Sequence, residues 1–345
     1  MKMNPVNAGQ VQSEIFHEEP METAMRDTAA KMQETKSCFP EGALSRRPEN
    51  RAYLRNRRTL EDAVADRAVV EAPAVLCDCS TMTLTVELPD GIRGIIPREE
   101  CCMGEVKDIA VITRVGKPVQ FRVLSVDGDT AHLSRRLAQE ECMENCIRSL
   151  SPGDIIPARV THMEPFGAFC DIGCGIVSLL TVDRVSVSRI SHPADRFRTG
   201  DQIDVIVSSV EESGRIYLTH RELLGTWTEN ASAFTAGQTV TGIVRSVEDY
   251  GIFVELAPNL AGLAEPVPGV APGDLCSVYI KSILPERMKI KLVLIDAWQE
   301  SLPRPQLRYY IDTAQIRRLE KWRYSPDGCR KLVETDFRAA VCALG

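Results

Sequence analysis

Phe166-Gly167-Ala168-Phe169 and Tyr250-Gly251-Ile252-Phe253 each set two aromatic rings three residues apart around a glycine. Arg159-Val160-Thr161 precedes the first and Ser178-Leu179-Leu180 follows it; Ile243-Val244-Arg245 and Gly262-Leu263-Ala264 frame the second. The copies keep a constant offset of 84 residues through this stretch, from 166 to 250, 169 to 253 and 179 to 263. The offset then drops to 73 at Gly200-Asp201 and Gly273-Asp274, and is 74 at Arg215-Ile216 and Lys289-Ile290, so the second copy has a shortened connection. An internal repeat of this size is an architectural unit, so it decides the fold before individual elements are assigned.

Within each copy, apolar residues alternate in short runs bounded by Gly, Pro or Asp, the pattern of half-buried strands. In the better copy these runs span 155–164, 166–171, 175–181, 202–210 and 215–221. Five short strands with a longer link before the fourth predict a closed Greek-key barrel of the OB type. A weaker copy lies upstream: Thr83 to Leu88, Gly91 to Ile96 and Val119 to Leu124 alternate similarly and close on Ala131-His132-Leu133-Ser134, with no ring pair at the turn.

These features resemble the S1 RNA-binding domain. The resemblance is carried by Phe166-Gly167-Ala168-Phe169, Ser191-His192-Pro193, Gly200-Asp201 and Gly214-Arg215-Ile216-Tyr217-Leu218, and the stretch from about 68 to 296 is similar to the tandem repeats of the bacterial ribosomal protein S1 family. The expected fold is mainly β, with three tandem five-stranded S1-type OB barrels joined by short helices, a disordered N-terminal tail and a small α/β C-terminal segment. The expected units are a tail at 1–45, a basic helical lead-in at 46–67, a degenerate barrel at 68–137, a helical linker at 138–150, the best-matching barrel at 151–222, a second linker at 223–235, a shortened barrel at 236–296 and a basic, aromatic segment at 297–345.

A single-strand binder needs flat apolar rings exposed on a rigid surface, because a base stacked on a ring gains about 1–3 kcal/mol whatever its identity. Rings at strand turns also commonly fill cores; the repetition, the glycines and the closing basic residue favour outward rings here. Gly167 and Gly251 are expected to let the chain turn tightly beneath them. In the family the ring pair works with a His, an acidic and a basic residue. The resemblance places Phe166, Phe169, Glu211 and Arg215 in the RNA site of the middle barrel, with Thr181 at the His position. In the third barrel it places Tyr250, Phe253 and Lys289, with Glu265 at the His position and Pro285 at the acidic one. A carboxylate facing phosphate is unfavourable, so the middle barrel is expected to bind better than the third. His162 and His192 are weaker candidates for the same groove, and a satisfied turn histidine is the competing interpretation of each.

The 345 residues are 44% apolar and 26% charged, and no run approaches the roughly 18 apolar residues that span a membrane. Met1 to Gln10 has no apolar run, so no secretory signal is expected and the location is taken as cytoplasmic. The formal net charge of −7 excludes a protein that coats nucleic acid by bulk electrostatics. The Arg46, Arg47, Arg51, Arg55, Arg57 and Arg58 run reads either as a solvated helix face or as a local phosphate contact. Twelve cysteines without a CxxC pair point to reduced thiols rather than to a structural metal. No Walker loop, HExxH or Gly-x-Ser-x-Gly is present, so no enzyme, cofactor or small-molecule substrate is expected.

Trp227 falls in register with Leu223, Ala231 and Phe234 and is expected to anchor a helix by packing. Gln315 to Arg323 has an amphipathic helical period, and the C-terminal segment reads as a cap on the third barrel or as a basic-aromatic nucleic-acid surface. The leading expectation is a non-catalytic protein that binds single-stranded RNA, associated with translation or with the small ribosomal subunit. The alternative is an acidic scaffold of OB barrels that docks on protein partners and touches RNA little.

Overall fold

The structure is a computed structural model that describes residues 38–106, 108–109, 115–300 and 307–338. Its mass is three closed five-stranded barrels. The first comprises β1 (Val69–Asp78), β2 (Thr83–Glu87), β3 (Arg93–Pro97), β4 (Pro118–Asp127) and β5 (Thr130–Ser134). The middle barrel comprises β6 (Ile155–Glu164), β7 (Gly167–Asp171), β8 (Val177–Thr181), β9 (Gln202–Val210) and β10 (Ile216–Thr219). The third comprises β11 (Thr239–Glu248), β12 (Gly251–Ala257), β13 (Leu260–Ala264), β14 (Leu275–Leu284) and β15 (Lys289–Trp298).

All three close identically: strand one pairs with two and four, and strand three pairs in parallel with five. The alternation seen in the sequence is the reason. In β7 and β8, Ala168, Cys170 and Leu180 turn into the middle barrel and are fully buried, whereas Phe169 and Leu179 turn outward. The first strand of every barrel carries an irregularity at the same place, between Ala74 and Leu76, Val160 and His162, and Val244 and Ser246. A bulge bends the strand and raises its twist, which suits the corner of a small barrel.

The repeated glycine has a different duty from the tight turn expected of it. A Cβ on Gly167 would sit 2.6 Å from the Leu180 carbonyl oxygen, and one on Gly251 would sit 2.8 Å from that of Ala264. Glycine is required there because strand two approaches strand three too closely for a side chain.

Short helices join the units. α1 (Pro48–Tyr53) and α2 (Arg57–Ala65) lead into the first barrel, and α2 is closed by a capping box in which Asn56 and Thr59 exchange hydrogen bonds. α3 (Arg135–Asn145) links the first and middle barrels. α4 (Val182–Val185) follows β8, and α5 (Trp227–Ala231) leads into the third barrel. Trp227 is 3% exposed, the packing anchor its spacing implied.

Two segments differ from the sequence expectation. Residues 1–37 lie outside the described residues, but 38–45 are not a tail. Pro40 is buried, the Glu41 N–H donates to Asp171 at 2.7 Å, Arg135 donates to Glu41 at 2.7 Å, and the Gly42 and Ser45 N–H groups donate to Glu71 at 2.7 and 2.8 Å. Glu71 belongs to the first barrel and Asp171 to the middle one, so this stretch joins them. Long-range hydrogen bonds from its backbone fix it there.

The second difference is 315–323, which is not a helix. The Arg317 carbonyl accepts from Ile155 N–H at 2.8 Å, and the Leu319 N–H donates to Gly153 O at 2.9 Å. Backbone pairing with the edge of the middle barrel overrides the helical period. The chain then forms β16 (Lys321–Arg323) and β17 (Glu334–Asp336). Trp322 and Tyr324 enter the third barrel's apolar cluster, whereas Phe337 packs with Ile155, Ile206 and Leu223 of the middle unit. The C-terminal segment therefore binds to both barrels and is more than a cap on the third.

Candidate nucleic-acid interface

The bulge in β6 brings His162 opposite Phe169 on β7, and Phe169 lies opposite Leu179 on β8. Leu179 in turn pairs in parallel with Tyr217 on β10. His162, Phe169, Leu179 and Tyr217 thus form one row across the outer face, where cross-strand neighbours stand about 5 Å apart. Phe166 stands at the β6–β7 turn and is 56% exposed. The Phe166 and Phe169 rings meet edge to face at 6.0 Å, and His162 stacks on Phe169 at 6.0 Å with planes 23° apart.

His162 is held by Glu164, whose Oε1 lies 2.7 Å from Nε2. The ring stack makes His162 part of the platform. His192 has a different position: its Nδ1 accepts from the Ala194 N–H at 3.0 Å and so caps the short turn Pro193–Asp195. Thr181 is half-buried at the end of β8, opposite Gly167. Its hydroxyl offers hydrogen bonding beside Phe166 but no face on which to stack.

Glu211 and Arg215 flank the β9–β10 hairpin, joined by a 2.9 Å bond from the Glu211 N–H to the Arg215 carbonyl. Arg215 is exposed. A hydrogen bond to Tyr217, and secondarily the charge of Glu211, hold its guanidinium pKa above the usual value, so it is a permanent cation. Tyr217 belongs to the closing motif Gly214-Arg215-Ile216-Tyr217-Leu218, which does not by itself put it beside Phe169. Its alternation with the buried Ile216 and Leu218 showed that it faces outward, but its place in the Phe169 row depends on the parallel β8–β10 pairing.

The third barrel repeats the ring geometry. Tyr250 is 69% exposed and meets Phe253 edge to face at 6.1 Å. The row runs from Ser246 through Phe253 and Leu263 to Lys291, the counterpart of Tyr217. Lys289 stands two residues earlier, and Lys281, Lys289 and Lys291 are exposed with no ion pair among the described residues. Glu265 is exposed immediately after Ala264, which pairs with Ile252, and Pro285 begins a short turn before Lys289. The third barrel thus offers rings with ammonium groups where the middle one offers rings, an imidazole and a phenol.

In the first barrel the row is Leu76, Thr85, Ile95 and His132, and the turn before β2 carries Met82. It has no stacking pair, as its sequence indicated.

Residues 149–221 match the model of the S1 RNA binding domain family. The match covers the middle barrel, which stands between two barrels of the same strand order. The chain resembles the bacterial ribosomal protein S1 family. It is 29% identical to "Small ribosomal subunit protein bS1" of Leuconostoc lactis over 268 residues, which are 71% of this chain and 62% of that one. To the protein of the same name in Rhodopseudomonas palustris it is 31% identical over 187 residues, 52% of this chain and 32% of that one. To the Staphylococcus aureus (strain COL) protein it is 26% identical over 272 residues, covering 71% and 68%. The chain spans less than two thirds of the length of the first two relatives. No helix among the described residues is long and apolar enough to cross a membrane.

Proposed function

We propose that this protein binds single-stranded RNA, including mRNA, through the middle and third barrels. It does so without catalysis, in the cytoplasm, in association with translation or the small ribosomal subunit. The observation that carries this reading is the ring pair built twice with one geometry, edge to face at 6.0 and 6.1 Å, with the outer ring of each pair more than half exposed. Burying Phe166 and Tyr250 would have stabilised the barrels; leaving them in water is explained by a partner that covers them.

Bases stack on the rings irrespective of sequence, while Arg215, Lys289 and Lys291 neutralise phosphates. Phe166, Phe169, Glu211, Arg215, Tyr250, Phe253 and Lys289 form the proposed site, with His162 and Thr181 beside it. His192 contributes through the turn it caps. Replacing both Phe166 and Phe169 by Ala is expected to weaken binding of a labelled single-stranded RNA at least tenfold in an anisotropy titration. Unchanged affinity would remove the middle barrel from the site.

A docking role on protein partners is favoured only for the first barrel, which lacks the ring pair and exposes Val75 and Leu76. Salt separates the two modes: RNA held by Arg and Lys is released as salt rises, whereas apolar docking is nearly indifferent to it.

A further inference from the structure

We propose that Tyr217 is a second base-stacking station on the middle barrel, so that this barrel reads a strand across its whole outer face and not only at the Phe166 turn. The proposal rests on the RNA-binding reading above and extends it to a residue outside the ring pair.

The β8–β10 pairing puts Tyr217 in line with Phe169 through Leu179. Strands are spaced about 4.8 Å apart, so Phe169 and Tyr217, two strands apart, are separated by roughly 10 Å. That equals about three steps of a stacked strand at about 3.4 Å each. A base on the Phe166–Phe169 pair and another on Tyr217 would thus belong to the same short oligonucleotide, with Leu179 as an apolar floor between them.

Three further features favour a ligand-facing role over simple packing. Tyr217 is half-exposed, while its neighbours Ile216 and Leu218 fill the barrel. Exposed Arg215 stands two residues earlier, immediately before the same strand, which puts a cation near the ring, as a base with its phosphate requires. The position also differs among barrels, being His132 in the first and Lys291 in the third. A position that only supported the barrel would be expected to keep one character, and this one changes with the surface around it.

The test uses the full chain carrying Tyr250→Ala and Phe253→Ala, which confines ring stacking to the middle barrel, and labelled oligouridylates of increasing length. With Tyr217 intact, affinity should rise with each nucleotide until the strand reaches from Phe166 to Tyr217. Tyr217→Ala should leave the shortest binding oligonucleotide unaffected and weaken the longer ones about tenfold, within the range expected for one stacked base. Tyr217→Phe should preserve most of the gain with length. If Tyr217→Ala changes no length while Phe166→Ala with Phe169→Ala abolishes binding, the station is refuted and the RNA-binding reading stands. If Tyr217→Phe loses as much as Tyr217→Ala, stacking is not its role. If the Phe166 and Phe169 replacements have no effect either, the underlying reading has failed.

Discussion

At the scale of single residues, exposure and alternation separate the groups that serve the surface from those that serve the core. Glu265 is the clearest case of a residue working against a proposed contact. It occupies the barrel position where Thr181 stands in the middle copy, on a surface otherwise carrying Lys289 and Lys291. Glu265→Gln is expected to raise RNA affinity of the third barrel severalfold at low salt, with the gain shrinking as salt is added. An anisotropy titration at two ionic strengths checks this, and an equal gain at both would assign the effect to something other than charge.

His220 is a core residue that carries a pH response. Its Nδ1 meets the Val185 carbonyl at 3.0 Å and its Nε2 meets the Tyr309 hydroxyl at 3.1 Å. Burial pushes its imidazole pKa down to about 4 from 6.5. The unfolded chain takes up this proton near pH 6.5 while the folded chain refuses it until about pH 4. The contribution to stability is therefore complete above 6.5 and lost as pH falls through that window, amounting to about 3 kcal/mol. Urea melts at pH 7.5 and 4.5 should show a smaller loss for His220→Gln than for the unaltered chain.

At the scale of elements, the close approach of strand two to strand three sets the barrels' tightest packing. Gly167→Ala places a methyl 2.6 Å from the Leu180 oxygen. It is expected to cost about 1–3 kcal/mol through forced displacement of β7 from β8, read as a lower urea midpoint. Trp227→Ala, at a site 3% exposed, is expected to cost about 3–5 kcal/mol.

The strands were legible because one buried face imposes a period of two, and the middle barrel's strand boundaries fall within two residues of those read from the pattern. Three features were not legible, each because it depends on a long-range partner. Residues 38–45 follow the polar N-terminal stretch without a strand or helix pattern of their own, and are fixed only because Asp171 and Glu71 accept their N–H groups. The 315–323 segment keeps a helical period but spends its backbone on Gly153 and Ile155. Tyr217 joins the ring row only through a parallel pairing whose partners, Leu179 with Tyr217 and Leu180 with Leu218, lie 38 positions apart in the chain.

At the scale of the whole molecule, buried ion pairs join the middle and third barrels. Arg196 contacts Glu255 at 2.6 Å with both side chains buried, and Arg245 contacts Glu255 at 2.7 Å and Asp195 at 3.4 Å. Glu255→Ala strands Arg196 in the interior and is expected to cost about 3–5 kcal/mol. Barrels held this way present their ring pairs as one fixed array, which favours a strand bound at both sites over two independent encounters.

That array is tested most directly by a chain in which Phe166, Phe169, Tyr250 and Phe253 are all Ala, compared with each two-ring variant in anisotropy titrations against one labelled single-stranded RNA long enough to reach both barrels. Each pair alone should weaken binding at least tenfold, and the four together should abolish specific binding while circular dichroism shows the barrels intact. A folded four-ring variant that binds as tightly as the unaltered chain would contradict RNA recognition by the ring pairs.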